Sequence, residues 1–375
     1  MIRWRTAVVD AVRAEWPGAV EYAVTVFERT GYDAAACQVV AVGYTSVVGR
    51  AEPGDRVLLN VSALQRGLGT GGMALVVAIP DRLPPDPPTG PGHVVKARYT
   101  PTQAMLLGVD EQESPHHALL ADADSVDGMP VVVADLHSAL PAVVAGIRAT
   151  RPDARVAYVM TDGGALPAAF SRTVAGLREA GWLTACLTTG QAYGGDHEAV
   201  TVHTGLLAAR LVEHADVAVV AQGPGNLGTG TRWGFSGVAA GEAVNAAHVL
   251  GGRAVASLRV SEGDARERHQ GVSHHSLTAY GRVATAPADV PVPGEDSPVA
   301  RRVRRQAQEL CAGSGGRLTL HEVPTDGLDQ ALTASPVPLR TMGRGLREDR
   351  AAFVAAAVAG RHAATLSERA SNPTG

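Results

Sequence analysis

The sequence is poor in cysteine and in lysine. Its 375 residues include three cysteines, Cys37, Cys186 and Cys311, and a single lysine, Lys96. Three widely spaced cysteines form neither a disulfide framework nor a zinc knuckle, so buried thiols are the default interpretation. A single lysine confines any Schiff-base chemistry to Lys96, for which a surface position is the simpler interpretation.

Basic runs, aromatic residues and long apolar runs are also scarce. The formal net charge is −4, and aromatic residues make up 4% of the chain. A nucleic-acid partner is not predicted, because the chain has no basic run to follow a phosphate backbone and few rings to stack on bases. No run approaches the roughly 18 apolar residues of a membrane helix, and the first residues lack the apolar core of a signal peptide. We therefore expect a cytoplasmic protein without a membrane partner.

Composition and periodicity divide the chain into four regions. They are a β-rich domain, a proline-rich linker with a short strand, an α/β domain, and an α/β extension with a C-terminal helix and a disordered tail, at residues 1–80, 81–110, 111–287 and 288–375. In the first region, short valine-rich runs alternate with turn signals, which is the pattern of a small antiparallel sheet or barrel. In the last, a proline-rich connection from Ala286 to Pro298 precedes a helix and a strand that either extend the sheet or form a small cap.

The third region alternates apolar β-type runs with helical patterns. Five strands are predicted in it: Val131–Ala134, Val156–Met160, Leu183–Leu187, Val217–Ala221 and Ala254–Val260. Continuously apolar strands separated by helices indicate a parallel sheet with helices on both faces, a Rossmann-like α/β fold. Ligands of such sheets bind beyond the carboxyl ends of the strands, so the segments that follow the five strands are the first places to look for a site.

A glycine loop, defined as Gln222–Gly237, follows the fourth strand. A strand, a glycine loop and a helix together present backbone N–H groups to an anion, and Arg232 would add positive charge while Ser236 caps the helix. The candidate ligand-binding residues of the loop are Gly223, Gly225, Gly228, Thr229, Gly230, Thr231, Arg232 and Ser236. Two alternatives stay open. The spacing of Gly223, Gly225 and Gly228 is that of a dinucleotide site, although the expected helix start and acidic residue are missing, and the glycines could serve tight turns alone.

The densest group of ionisable residues, from Arg266 to His275, follows the fifth strand. Two arginines of this segment suit a second anion clamp, and its histidines can act as acids or bases near neutral pH. The candidates for ligand binding here are Arg266, Arg268 and His274. The candidates for proton transfer are Asp162, Asp196, His197, His269 and His275, which follow the second, third and fifth strands.

A divalent metal is the alternative use of these carboxylates and imidazoles. They are suitable ligands for zinc, manganese or iron, but the sequence shows no standard metal-binding spacing. His197 is followed by His203 and not by a histidine at i+4, so the two rings would point to different sides of a helix. A nucleophile at Ser236 or Cys186 is not supported either, because the nucleophile-elbow spacing is incomplete and Cys186 lies inside a predicted strand. The cofactor therefore stays open.

Six motifs stand out in combination: Pro53–Asn60, Gly67–Gly72, Arg98–Pro101, Tyr158–Gly163, Gly228–Gly237 and Arg266–His275. Together they resemble an uncharacterised family of Gram-positive bacteria filed as a domain of unknown function. The resemblance covers roughly residues 20–287. It implies no established activity, so no catalytic role follows from it.

The leading functional hypothesis is an enzyme that acts on a phosphate- or carboxylate-bearing small molecule at the carboxyl edge of the sheet. A hydrolase or a transferase reaction would fit. The alternatives are a non-catalytic protein that senses a nucleotide or metabolite, and a metal-dependent hydrolase. A homo-oligomer is compatible with the sequence, which determines neither the oligomeric state nor the substrate.

Overall fold

The computed structural model describes residues 1–27, 37–67 and 71–371, with side chains up to residue 367. The centre of the Gly67–Gly72 motif, residues 68–70, and the end of the predicted disordered tail, residues 372–375, lie outside the described residues. The chain divides into two compact units, residues 1–90 and 91–375. Each unit has its own hydrophobic core.

The first unit is a closed barrel of five strands. Strands β1–β5 are Trp4–Trp16, Ala19–Phe27, Cys37–Tyr44, Arg56–Asn60 and Met73–Ala78, and the short helix α1 is Thr45–Val48. The strands neighbour one another in the order β1, β2, β3, β5, β4, with β1 closing the barrel against β4. All pairs are antiparallel except β3 with β5. The barrel, one of the two arrangements that the sequence predicts for this region, is confirmed.

The sequence pattern does not reveal strand β1, although it is the longest in the barrel. Its pairing with β2 shifts register twice, between Val9 and Ala11 and between Val12 and Ala14. Each shift interrupts the alternation of inward and outward side chains by which a strand is recognised. Irregular pairing therefore hides this strand from a periodicity analysis.

The second unit is built on a parallel sheet of eight strands. Strands β6–β12 are Val94–Lys96, Ala104–Leu106, Pro130–Ala134, Val156–Thr161, Ala185–Thr188, His197–Glu198 and Val217–Gln222. Strands β13–β19 are Arg253–Ser257, Val260–Ser261, Gly271–Val272, Ala288–Pro293, Leu318–Val323, Arg340–Thr341 and Arg344–Gly345. The order in the sheet is β11, β10, β9, β12, β8, β13, β16, β17, and the six remaining strands form three separate two-stranded pairs. The five predicted strands all belong to this one sheet.

Helices cover both faces of this sheet. Helices α2–α10 are His117–Leu120, Leu140–Thr150, Arg172–Glu179, Val202–Leu211, Ala239–Val249, His274–Thr278, Pro298–Ala312, Leu328–Thr333 and Arg350–Ser371. Along β8, Val131 and Val133 pack in a core with residues of α5, α6 and α8, whereas Val132 and Ala134 pack in a second core with residues of α3 and α10. Among the described residues, no helix combines the length and the apolar character that crossing a membrane requires. The predicted parallel α/β sheet with a β-rich N-terminal region is confirmed.

The segment from Ala286 to Pro298 is more than the connection that its prolines predict. It contains β16, which lies inside the sheet between β13 and β17. Prolines disfavour central strands because they lack an N–H donor. Here β16 pairs with β17 at six positions but with β13 at one, Val255 with Asp289, so Pro291 and Pro293 forfeit few ladder bonds. The helix α8 and strand β17 that follow extend the sheet, which decides between the two arrangements left open by the sequence.

The C-terminal helix α10 packs against α3 with almost no space between the two backbones. A Cβ atom added at Gly360 would lie 1.9 Å from the carbonyl oxygen of Val143, and one added at Gly146 would lie 1.9 Å from the carbonyl oxygen of Ala357. Such an approach is open only to glycine, since any side chain would overlap the facing backbone. This contact holds helix α10 against the face of the sheet on which Val132 and Ala134 of β8 are buried.

The rare residues of the sequence do not all lie where composition predicts. Lys96 is fully buried, so the surface interpretation is wrong: its Nζ donates to the carbonyl oxygens of Ala192 and Ala199, each at 2.9 Å, and lies 3.3 Å from Glu198 Oε2. Among the cysteines, Cys186 is buried, Cys311 is half-buried and Cys37 is exposed. Burial raises the pKa of the Cys186 thiol, which leaves it uncharged and a poor nucleophile at neutral pH.

Candidate functional site

Three histidines pack against one another beyond the carboxyl end of β13. We call His269, His274 and His275 the histidine cluster. Their ring centroids lie 5.0 Å (269 and 274), 5.2 Å (269 and 275) and 4.4 Å (274 and 275) apart. One possible ligand nitrogen from each ring lies within 4.8 Å of the others. These residues, which are close in the sequence, are thus also in contact in the structure.

Ser273 links the two parts of the chain that supply the cluster. His269 ends a 3-10 turn, whereas His274 and His275 open α7. The Oγ of Ser273 accepts a hydrogen bond from the His275 N–H at 3.2 Å and lies 2.8 Å from His269 Nδ1. Ser273 is fully buried, so this one hydroxyl fixes the helix start and the orientation of the His269 ring together.

Asp135 and Arg259 extend the cluster towards the centre of the sheet. Asp135 directly follows β8, and Arg259 follows the neighbouring strand β13. Arg259 Nη1 donates to His275 Nδ1 at 2.9 Å and lies 3.9 Å from Asp135 Oδ2. The same carboxylate oxygen lies 3.5 Å from His275 Nδ1. A carboxylate and a guanidinium therefore face the same imidazole nitrogen.

The side chain of Asp135 is buried with an acceptor left open. The residue is 3% exposed, and its Oδ2 accepts no hydrogen bond within the described part of the chain. In the histidine cluster, His274 Nε2 is buried and likewise without a partner among these residues. Buried polar atoms are nearly always hydrogen-bonded, and an exception calls for an explanation such as a catalytic role or an ion.

The glycine loop contributes an aromatic ring to the cluster. The Phe235 ring stacks on His275 with centroids 3.9 Å apart and 6° between the ring planes, and it lies 6.2 Å from the His274 ring. The structure thus brings together the two segments that the sequence singles out, the glycine loop and Arg266–His275. An apolar ring on one face of His275 fixes its plane and shields that face from water.

The glycine loop is held in shape largely by its own side chains. Ser236 Oγ accepts from the Leu227 N–H at 3.0 Å and lies 3.2 Å from Asn226 Oδ1, and Thr231 Oγ1 accepts from the Gly234 N–H at 3.2 Å. Helix α6 begins at Ala239, after a 3-10 turn, and has no side-chain cap. The predicted role of Ser236 as a helix cap is therefore wrong, because its hydroxyl closes the loop instead.

The remaining loop candidates have positions that turn geometry or contacts within the loop explain. Gly225 and Gly230 have φ angles of +100° and +79°, so the turn geometry alone accounts for glycine at these two positions. Gly228 pairs with Phe235 in an isolated antiparallel bridge, and Thr229 Oγ1 lies 3.0 Å from Thr231 Oγ1. Gly223 is buried where the loop leaves β12.

The three candidate arginines differ in their availability to a ligand. Arg266 is held by Asp264 in a forked ion pair, with Nε–Oδ1 and Nη2–Oδ2 distances of 2.9 and 2.8 Å. That guanidinium holds the pKa of Asp264 well below its usual range. Arg232 and Arg268 are exposed and form no ion pair within the ranges the structure describes. Of the predicted arginines, these two are the ones open to an anion.

Asp162 lies at the carboxyl edge of the sheet but outside the histidine cluster. It follows β9, and its Oδ2 accepts from the Gln191 N–H at 2.9 Å. The carboxylate thereby fixes the turn that follows β10. The side chain is exposed.

Asp196 and His197 lie at the far side of the sheet. Asp196 accepts from Arg178 at 2.6 Å and from the Cys186 N–H at 2.7 Å, and His197 Nε2 lies 2.7 Å from Glu213 Oε1. His197 belongs to the edge strand β11, five strand positions from β13. At the usual spacing of about 4.8 Å between strands, this distance is roughly 24 Å. The structure therefore does not bring these two residues to the histidine cluster.

Two residues of the site, Asp135 and Arg259, are not among the named candidates, although Asp135 lies in the segment after the first predicted strand, where a site is expected. The sequence nevertheless contains a signal that could have identified each of them. Asp135 is the first residue after a fully apolar strand, and Arg259 interrupts the apolar run from Ala254 to Val260. A charge inside or directly after a buried strand needs a partner, and a shared site is one way to provide it.

Burial lowers the pKa values of two histidines of the cluster, His269 and His274. The pKa of His269 is lowered to about 3, first by burial and then by the nearby charges of Arg259 and Arg266. The pKa of His274 is lowered to about 4, first by burial and then by His275 and Arg268. Both rings are therefore neutral at pH 7, with an electron pair available on one nitrogen.

His137 follows β8, close to Asp135 in the sequence. Its pKa makes the free energy of unfolding depend on pH. Its nitrogens lie 3.0 Å from Tyr158 Oη and 2.7 Å from Ser171 Oγ, and burial lowers its pKa from 6.5 to about 4. Between these two pKa values the unfolded chain binds a proton at His137 and the folded chain does not. The free energy of unfolding therefore falls as the pH falls, and His137 is expected to account for about 2 kcal/mol of the loss between about pH 7.5 and pH 5.

Urea unfolding at these two pH values measures the effect. His137→Gln keeps a hydrogen-bonding side chain but cannot take up the proton, so its loss of stability should be about 2 kcal/mol smaller than that of the wild type. His248→Gln, at an exposed position on α6, should lose as much as the wild type. An equal loss in the His137→Gln and wild-type proteins would contradict the assignment.

The family model described as protein of unknown function (DUF3866) matches residues 40–360. No curated protein matches the chain. The match confirms the resemblance to a domain-of-unknown-function family that the motifs indicate.

Proposed function

We propose that the chain, which belongs to the DUF3866 family, is an enzyme that acts on a small molecule with a phosphate or carboxylate group. The observation that carries the proposal is the buried carboxylate of Asp135, which faces His275 with an open acceptor at the carboxyl edge of the sheet. Burial lowers the pKa values of His269 and His274 at the same edge, and ionisable groups perturbed in this way at the carboxyl edge of a sheet are typical of active sites. The reaction class that we propose is hydrolysis or group transfer.

The position in the fold supports a ligand crevice at this edge. Strand β8 continues into α3 on one face of the sheet, and its neighbour β12 continues into α6 on the other face. Connections that leave neighbouring strands towards opposite faces open a crevice between the strand ends, as in Rossmann-like folds. Asp135 follows β8 and the glycine loop follows β12, so both border this crevice. We further propose that the fold is Rossmann-like and that the protein is cytoplasmic.

The arginines near the cluster provide for the anionic group of the substrate. Arg259 is largely buried, while Arg232 and Arg268 are exposed, and guanidinium groups bind phosphate and carboxylate oxygens in forked geometry. The nearest carboxylate to Arg259 is 3.9 Å away, which leaves the guanidinium incompletely paired. A substrate anion would complete its coordination.

Binding of that anion would also prepare His275 for proton transfer. In the structure the Arg259 guanidinium donates to His275 Nδ1, so this nitrogen carries no proton. When Arg259 turns to the substrate, Nδ1–H can pair with Asp135 Oδ2, which leaves Nε2 free to accept a proton. A buried carboxylate behind an imidazole fixes the tautomer and stabilises the charge that the ring acquires.

The experiment is a turnover screen with the full-length protein. A mixture of phosphate- and carboxylate-bearing metabolites is incubated with wild type, with Asp135→Asn and with Asp153→Asn, and masses are followed over time. Asp153 is exposed and precedes β9 at the opposite edge of the sheet, so it is the matched control. Wild type and Asp153→Asn should consume the same compound, and Asp135→Asn should leave it intact. Binding of a compound without consumption over hours would instead support the sensing alternative.

A further inference from the structure

The second group of candidate metal ligands in this chain helps to define what the histidine cluster can do. Two groups of three ligand atoms within 4.8 Å exist among the described residues: the histidine cluster, and Asp289 with His321 and His362. In the second group, Asp289 pairs with His321 Nε2 at 3.1 Å and with His362 Nε2 at 2.8 Å. Its side chains already satisfy one another. Those of the histidine cluster do not.

We infer that the histidine cluster binds a divalent transition-metal ion through His269, His274 and His275. The inference rests on the site of the proposed function and deepens it, because it names the cofactor of that site. Three imidazoles without a thiolate suit zinc, manganese, iron or cobalt, and three protein ligands leave a position open for water or substrate.

The distances in the cluster are close to those of a metal centre. Ligand nitrogens at about 2.1 Å from a tetrahedral ion lie roughly 3.4 Å apart. The ligand nitrogens of the cluster lie within 4.8 Å of one another, so rotations that move each nitrogen by roughly 0.7 Å close the gap.

The atoms around the cluster supply the supporting hydrogen bonds of such a centre. A metal-bound histidine usually donates its second N–H to a carboxylate, a carbonyl or a similar acceptor. Ser273 Oγ lies 2.8 Å from His269 Nδ1, and Asp135 Oδ2 lies 3.5 Å from His275 Nδ1 with its acceptor unused. Metal binding would use His274 Nε2 as a ligand, and once Arg259 turns away from His275 Nδ1, this nitrogen could carry a proton and donate it to Asp135 Oδ2.

The imidazole side chains also provide suitable donor atoms. A neutral imidazole offers an electron pair on one nitrogen, and the buried Nε2 of His274 has no hydrogen-bond partner among the described residues. An ion held by these three residues would supply Lewis-acid activation of a bound water, and His275 would then serve as a ligand in place of its role as proton acceptor. Asp135 keeps its function of orienting His275 in both states.

Metal titration of the chelator-treated, full-length protein tests the inference. Zn²⁺ is followed by calorimetry and Co²⁺ by its visible absorption, in wild type, His274→Ala and His362→Ala. Wild type and His362→Ala should each bind the ion at the cluster, whereas the affinity of His274→Ala should fall at least about 100-fold. Loss of binding in His362→Ala alone, or no binding by the wild type, would overturn the inference.

X-ray absorption at the zinc edge provides a readout that needs no variant to fold. Three imidazole ligands at about 2.0 to 2.1 Å are expected for the cluster, whereas two imidazoles with a carboxylate would indicate Asp289 and its histidines. Because the probe is the metal alone, the outcome is independent of turnover. Binding at the cluster without turnover of any compound would retain the metal site and reject the proposed enzyme. Full turnover by metal-free protein would retain the proposed enzyme and reject the ion as its cofactor.

Discussion

Replacement of Asp135 by asparagine is expected to lower kcat for the substrate by about 1000-fold. An amide has the same shape as the carboxylate but carries no charge, so it cannot stabilise a positive His275. Its NH₂ group can also donate to Nδ1 and hold the ring in the wrong tautomer. If His275 binds a metal ion, the same change weakens the support of that ligand. Steady-state kinetics measure the effect, and KM should change much less than kcat.

The control for this prediction is the stability of the variant. Asp135 Oδ2 accepts no hydrogen bond from the described residues, so asparagine should not lower the free energy of unfolding by more than about 1 kcal/mol. A kcat within about threefold of the wild-type value would contradict the assigned role. Asp153→Asn should retain wild-type kcat and KM.

Replacement of Gly360 by leucine is expected to lower the free energy of unfolding of the α/β unit by more than about 4 kcal/mol. The new Cβ would lie 1.9 Å from the Val143 carbonyl oxygen, and the backbone of α3 cannot move away without opening the core between the two helices. Phe353 and Ala356 of the same helix line a small pocket beside Asp135. Displacement of α10 should therefore also disturb the site.

Gly313→Leu is the matched control for the helix packing. Gly313 follows α8, is exposed and has a negative φ of −74°, and the nearest atom to an added Cβ lies 3.4 Å away. This variant should differ from the wild type by less than about 1 kcal/mol. Urea unfolding of both variants tests the pair, and equal stabilities would show that the α3–α10 contact is not as close as described.

The sequence predicts the elements of the sheet better than their arrangement. The runs at β8 and β12 are fully apolar, so their strand character does not depend on neighbours. Their adjacency does: β12 lies between β9 and β8, and no local signal specifies which strands pair. The strand β16 is missed for the opposite reason, since Pro291 and Pro293 argue locally against a strand that tertiary pairing nevertheless permits.

The sequence identifies the segments that form the site but not all of the residues that belong to it. The histidines and the glycine loop are visible in the sequence, but the stacking of Phe235 on His275 depends on the order of β8, β12 and β13. Asp196 illustrates the converse. The chain after β10 turns back along that strand, with the Asp196 N–H donating to the Cys186 carbonyl oxygen at 2.7 Å. A residue expected at the carboxyl edge is thereby carried away from it.

A crystal structure of the Asp135→Asn variant with the compound that the wild type consumes would locate the functional site. We expect the anionic group of the compound to lie within hydrogen-bond distance of Arg259 or of Arg232, with the reacting atom beside His275. A compound bound next to Asp289 and His321, or beside β11, would contradict the assignment of the histidine cluster as the functional site.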